Sequence, residues 1–335
     1  MDILVKTYRG PLEDLFHTGH IAVVNSAGKL LFCCGDPDRV CYARSSAKPI
    51  QALCVLESGA AEKFGLDDQD IALFCASHNG EPMHIQAVRQ ALAKAGLDES
   101  YLQCGVHYPL YEPEADRMKA EGIQPSQIHC NCSGKHTGML VTAAALGEEL
   151  DSYYKPEHPA QRRIKEMIGL ICQYDPEKII LGTDGCGVPV HALPLRAFAH
   201  GIARLASPAC LGGKLAEEAA RITAAMAKYP EIMSGTGRID AQLMRKYPNR
   251  LFCKSGADGY YIVGDKKEGI GIAIKIDSGN GQARNAVVVE TLRQLGILSE
   301  QDLEEFSNTH VPVAKNHKGE DVGRMKPVFT LRKAD

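Results

Sequence analysis

Three short strings, in a fixed order, constrain this chain more than any other feature: Ser45-x-x-Lys48, then Ser77-His78-Asn79, then Lys254-Ser255-Gly256. A serine and a lysine three residues apart share one face of a helix, about one turn apart. A neutral amine so placed can take the hydroxyl proton and leave a nucleophile. A second serine and a second lysine can complete a proton path to a leaving group. Alone, each string reads blandly. Ser45 would be a helix cap, Lys48 a solvated charge, and Ser77-His78-Asn79-Gly80 a plain turn. Their order makes Ser45, Lys48, Ser77 and Lys254 candidate catalytic residues. Ser46 competes with Ser45, but two residues from Lys48 it points away on a helix.

The flanking sequence suits this reading. His20–Val24 and Lys29–Cys33 are β-rich runs joined by the turn signal Asn25-Ser26-Ala27-Gly28, which predicts a hairpin. Ser45 is placed to cap a helix whose first turn tolerates Pro49, with Ile50–Leu56 as its mostly buried body. The N-terminus of that helix would favour an alkoxide at Ser45 and help to keep Lys48 neutral. The apolar run Ile71–Ala76 delivers Ser77, and Asn79-Gly80 turns the chain. Leu251–Cys253 leads into Lys254, and two further β-rich runs follow, Gly259–Val263 and Ile270–Ile276, linked by the charged turn 265–269. The three strings together resemble the signature set of serine acyl-transferases of the β-lactamase and penicillin-binding type.

Composition sets outer limits. The chain has 335 residues, 44% hydrophobic and 24% charged, enough for a sizeable core. With a net charge of −3, 6% aromatic residues and no Trp, nothing suggests nucleic acid or a polybasic membrane surface. No apolar run approaches the roughly 18 residues of a membrane span. The first residues lack the pattern of an export signal, and the twelve cysteines are scattered, several inside apolar runs. Reduced thiols and a cytoplasmic location are therefore expected, which argues against a cell-wall target.

A second unusual string, Cys130-Asn131-Cys132-Ser133-Gly134-Lys135-His136, opens a strong helix through Leu146. Another cysteine is flanked by glycines in Gly182-Thr183-Asp184-Gly185-Cys186-Gly187. Thiolates at Gly-rich turns can bind zinc or act as nucleophiles. The spacing is not that of a zinc finger, and buried structural thiols remain the alternative.

Arg44-Ser45-Ser46-Ala47-Lys48-Pro49, Cys75-Ala76-Ser77-His78-Asn79-Gly80-Glu81, Cys130–His136 and Gly182–Gly187 together resemble the rhizobial-type (class 3) L-asparaginases, the asparaginase II family. The resemblance runs from about residue 10 to about residue 330. It implies an α/β (α+β) fold like that of the serine β-lactamases and penicillin-binding proteins, an antiparallel sheet flanked by helices. It also implies hydrolysis of L-asparagine to L-aspartate and ammonia, a homodimer, and one Zn²⁺ per chain. By resemblance, Ser45 is the nucleophile, Lys48 its base, and Ser77 with Lys254 the second pair. Cys132, Lys135 and Cys186 would hold the zinc with a water, leaving Cys130 structural. His136 and Asp184 would orient Lys135 and that water. Arg44, His78, Asn79, His136 and Asp184 are the substrate-binding candidates, Arg44 for an α-carboxylate. Lysine must shed its proton to ligate, so the site would fill better as pH rises. With two Ser-Lys pairs present, the zinc is expected to position substrate rather than to cleave it.

The rest of the chain reads as one catalytic domain, 1–335, with a helical subregion inserted at roughly 85–245, between the second and third strings. Helices are expected through Gln161–Ile168, over Gly212–Lys228 with Leu215, Ala219, Ile222 and Met226 facing the core, and over Ala286–Leu298. Val311–Asp335 is expected to be a strand plus a mobile tail. Two other readings stay open: another serine amidohydrolase or D-amino-acid peptidase on the same fold, or a non-catalytic zinc-dependent amino-acid-binding protein.

Overall fold

The anticipated turn at Asn25 is built by its side chain, whose Oδ1 accepts from the N–H groups of Ala27 and Lys29. It joins two strands of a computed structural model that describes residues 2–334. In chain order the strands are β1 (Asp2–Arg9), β2 (Leu12–Asn25), β3 (Leu30–Cys34), β4 (Val40–Tyr42), β5 (Ile180–Thr183), β6 (Pro189–Pro194), β7 (Leu251–Ser255), β8 (Tyr260–Asp265), β9 (Ile270–Ile276), β10 (Val313–Lys315), β11 (Asp321–Pro327) and β12 (Arg332–Lys333).

Nine of them form one antiparallel sheet in the order β10-β11-β1-β2-β9-β8-β7, with β3 pairing β2 and β12 pairing β3. The long β2 serves two neighbourhoods. Its first half pairs β1, and its second half is held between β9 and β3. The sheet core is β7, β8 and β9, which is buried along nearly its whole length, as strands covered on both faces are. The helix Leu195–Ala206 packs on β2, β8 and β9, and the helix Gly281–Gln294 packs on β1, β8, β9 and β11. The fold is thus mixed α/β, an antiparallel sheet flanked by helices, as the sequence reading anticipated.

Helix Lys48–Glu57 is the buried axis of the helical side. Every residue from Lys48 to Leu56 is buried, enclosed by helices Asp68–Phe74, Ser133–Leu146, Pro159–Cys172 and Gly213–Lys228. In the last of these, Ala219, Ile222 and Met226 are fully buried and Leu215 packs at the rim, so the expected face is the core face. The stretch between the second and third strings also contains β5 and β6. With β4 they make a separate antiparallel sheet, β4-β6-β5. Since β4 and β5 both run antiparallel to β6, they run parallel to each other, and Arg44 and Asp184 leave this sheet at the same end.

Three local expectations are corrected. Ser45 does not cap the helix. It sits in a 3₁₀ turn, Arg44–Ala47, and Ala47 occupies the N-cap position of the helix beginning at Lys48, with Pro49 in the first turn as anticipated. The closing helix spans Gly281–Gln294, capped by Asn280, whose Oδ1 accepts from Ala283 N at 2.8 Å, so it starts earlier than the apolar pattern alone indicated. The C-terminal segment is not a loose tail. Its strand β11 pairs with β1 from Val5↔Pro327 to Arg9↔Gly323. Among the described residues no helix is long and apolar enough to cross a membrane.

Candidate active site

The three strings converge although they lie far apart in the chain. Gly256, last of the Lys-Ser-Gly string, must be glycine, because a Cβ there would stand 2.9 Å from both Ala43 O and Ser46 Oγ. Its bare backbone lets the end of β7 press against the 3₁₀ turn that carries Ser45. Gly134 does the same for the cysteine string, where a Cβ would lie 2.4 Å from Leu73 O. That contact lets helix Ser133–Leu146 lie on helix Asp68–Phe74, which delivers Ser77.

Lys48, 1% exposed, is the hub. Its Nζ donates to Ala76 O at 2.5 Å, Ser77 Oγ at 2.8 Å and Cys132 Sγ at 3.3 Å. Lys48 therefore reaches the second string directly, and it is Lys48, not Lys254, that hydrogen-bonds Ser77. Ser46 is turned aside and donates to Lys254 O at 3.0 Å. Ser45 instead faces a cavity of about 240 Å³, walled also by Arg44, Asn131, Cys132, Asp184 and Cys186.

Lys254 lies fully buried on β7, and its Nζ donates to Ser255 O at 2.8 Å. Burial pushes its pKa down to about 7, with Lys48 and Arg238 adding to the effect and Asp240 resisting it. Burial works to raise the Asp240 carboxyl in turn, but Lys254, Arg238 and Arg284 outweigh it and hold it ionised. Asp240 Oδ1 also accepts from Ser255 N at 2.5 Å. Asp240 went unnoticed in the sequence, because a carboxylate in the first turn of a helix is ordinary there.

His78 and Asn79 flank Ser77 but do not wall the cavity. Gly80 N–H donates to His78 Nδ1 at 3.1 Å, so the proton is on Nε2, which donates to Ser133 Oγ at 2.8 Å. Ser133 passes this bond on to Ile128 O. Burial, first of all, holds the fully enclosed His78 well below the usual imidazole range. Its geometry is that of a brace tying the second string to the cysteine string. Asn79 Nδ2 donates to Thr236 O at 3.4 Å. His136 is also enclosed. Its Nδ1 meets Tyr153 Oη at 2.6 Å, and its Nε2 has no partner among the described residues.

Cys132, Lys135 and Cys186 do come together. Lys135 Nζ donates to Cys186 Sγ at 3.0 Å, and all three side chains are buried. Hydrogen bonds from the Cys130 and Cys186 thiols, then the charges of Lys48 and Lys135, hold Cys132 well below the usual thiol range, as a thiolate. Burial opposes the charge on Lys135, but Cys186, Cys132 and Asp184 outweigh it and raise its pKa. Two soft sulfurs and an amine, buried and already balancing charge, suit a zinc ion. Among the described residues no three His, Cys, Asp or Glu side chains gather to hold a metal, so a site here depends on Lys135 as its third donor. All twelve cysteines are free thiols.

Arg44 closes one side of the cavity. Its Nε and Nη2 both bond Asp184 Oδ1, at 2.9 and 2.7 Å, and its Nη1 bonds Asp258 Oδ2. Gly185 N also donates to Asp184 Oδ1. Arg44 has φ 50° and Asp258 φ 53°, the left-handed region that costs a side chain such as arginine about 1–2 kcal/mol. Asp258 was passed over in the sequence because Asp258-Gly259 reads as a simple hairpin turn.

A cavity-facing serine backed by a buried lysine, a second serine and a desolvated second lysine is the equipment of a serine hydrolase. Among curated proteins none matches this chain. The family model for L-asparaginase II matches residues 5–327, and the chain belongs to that family. Solved structures with a distant likeness include a β-lactamase (Mb2281c) from Mycobacterium bovis, 16% identical over 82% of this chain and 94% of that one, with a TM-score of 0.42. Mglu in its native form is 12% identical over 85% and 67%, with a TM-score of 0.39. A mutant of simvastatin synthase (LovD) from Aspergillus terreus is 10% identical over 82% and 93%, with a TM-score of 0.37.

Proposed function

We propose that this chain is an L-asparagine amidohydrolase that releases L-aspartate and ammonia through an acyl-enzyme on Ser45. The observation that supports it most is the buried Lys48–Ser77 pair lying behind a cavity-facing Ser45, in a member of the L-asparaginase II family. Ser45 Oγ attacks the side-chain amide carbon and gives its proton to Lys48. Lys48 bonds Ser77 Oγ, which offers a path for a proton to the leaving nitrogen, so that it departs as ammonia. Lys254, with a pKa of about 7, is the second group able to accept a proton near neutrality and so to help a water attack the ester. The acyl group leaves as L-aspartate, and Ser45 regains its proton.

Cys132, Lys135 and Cys186 would hold one zinc, which when bound would supply an electropositive anchor that positions the substrate. A homodimer is part of the same reading, and light scattering measures it. The twelve free thiols suit the reducing interior in which this reading places the protein. The experiment is ammonia release from a panel of L-asparagine, D-asparagine, L-glutamine, β-aspartyl peptides and nitrocefin. Turnover confined to nitrocefin or to D-amino-acid substrates would replace this reading with another serine amidohydrolase.

A further inference from the structure

The ion pair between Arg44 and Asp258 stands at the cavity, beside the nucleophile, and its two carboxylate partners differ. Asp184 is fixed. Its side chain is 10% exposed, and its Oδ1 accepts from Arg44 Nε, Arg44 Nη2 and Gly185 N. Asp258 is loosely held. Its side chain is 66% exposed, and it belongs to the turn Gly256–Gly259 between β7 and β8, next to Ala257 of the cavity wall. Both members of the Arg44–Asp258 pair have left-handed backbones. Strain of this kind gathers where a function depends on holding a side chain in place.

We propose that the Arg44–Asp258 pair is the recognition site for the zwitterionic head of an α-amino acid, which inserts between the two side chains. The α-carboxylate takes the place of Asp258 on Arg44, and the α-ammonium is received by the displaced Asp258. One ion pair becomes two, and no charge is left without a partner. Asp184 keeps the Arg44 guanidinium aimed throughout. Because Arg44 directly precedes Ser45, a head bound there carries its side-chain amide toward the nucleophile. The inference rests on the amidohydrolase reading and adds Asp258 to it as the residue that selects α-amino acids over plain carboxylic acids.

The test compares L-asparagine with succinamate, which has the same carboxylate and amide but no ammonium, on wild type and Asp258→Asn. Asparagine tolerates the left-handed turn, and an unchanged melting temperature verifies the fold. The expected result is a KM for L-asparagine raised about tenfold to a hundredfold, the worth of a charge-assisted hydrogen bond, with kcat within about twofold. The KM for succinamate should stay level or fall, since Arg44 loses its competing anion. Equal changes in both KM values, or no change in either, would overturn the inference. Calorimetry with L-aspartate and succinate separates its failure from that of the amidohydrolase reading. If L-asparagine is not hydrolysed, selective weakening of L-aspartate in the variant still supports the head-group site, and equal affinities refute it.

Discussion

Two lysines share one active centre, and their surroundings treat them in opposite ways. On the helical side, Lys48 has three acceptors around its Nζ, as many as an ammonium has donors. On the strand side, Lys254 finds only the carbonyl of Ser255, and burial pushes its pKa down to about 7. One wall supplies a wired junction between two serines, and the other a base poised for neutral pH. A buried lysine is thus defined by the acceptors within its reach, not by burial itself.

The most severe break is at the residue between the walls. Ser45→Ala is expected to lower kcat by on the order of 10³-fold or more with the fold intact by circular dichroism. Ser46→Ala, which only loses its bond to Lys254 O, should cost about 1 kcal/mol of stability and little activity. The opposite ranking would move the nucleophile to Ser46.

The lysines come next. Lys254→Met and Lys48→Met should each lower kcat by roughly 10²–10⁴-fold, but their pH profiles should differ. Activity of the wild type should rise through about pH 7 as Lys254 loses its proton. Among the slow variants, Lys48→Met should keep that inflection and Lys254→Met should lose it. An inflection near pH 7 surviving in Lys254→Met would assign the neutral base elsewhere.

A smaller effect concerns stability. Burial pushes His84 and His191 down to about 4, whereas an unfolded histidine titrates near 6.5. Between those values the unfolded chain binds protons that the folded chain refuses, so stability falls as pH falls from about 6.5 to about 4. The limit is on the order of 3 kcal/mol for each histidine. His191 has no partner on either ring nitrogen among the described residues, so His191→Gln should flatten the acid limb of a plot of melting temperature against pH. Lys254 acts in a higher window. Its lowered pKa makes stability rise with pH from about 7 to the ordinary lysine range.

The mildest effect on kcat is expected at the thiols. Protein purified without chelator should carry about one zinc per chain. Removing it, or Cys132→Ala or Cys186→Ala, should raise KM more than it lowers kcat, and Cys130→Ala should be mild. Metal content by plasma emission and kinetics before and after re-metallation measure this. A collapse of kcat at saturating asparagine would place zinc in the chemical step.

What the sequence made legible was local. The Asn25 turn, the buried helix after Pro49, the Ala219–Ile222–Met226 face and the meander β7-β8-β9 each rest on a signal within a few residues. The edge strands β10 and β11 were not legible, since β10 is exposed along its length and β11 has a single buried residue, leaving no alternation to read. The site divides in the same way. Ser45, Lys48 and Ser77 announce themselves by spacing. That Lys48 reaches Ser77, that His78 braces Ser133, and that Asp240 and Asp258 belong to the centre are long-range facts that no local pattern encodes.

The pairing of β2 with β9 also matters before the protein is finished. During synthesis, residues 12–25 emerge early, but residues 270–276 complete their ladder much later. Until then an apolar strand, Ile21 to Val24, has one open edge, the kind of template on which chains stick to one another. Pairing so remote in sequence is slow to form. Yield of native enzyme in the cell should therefore depend on how well that edge is shielded during translation, and substitutions that leave the finished fold's melting temperature unchanged can still lower it.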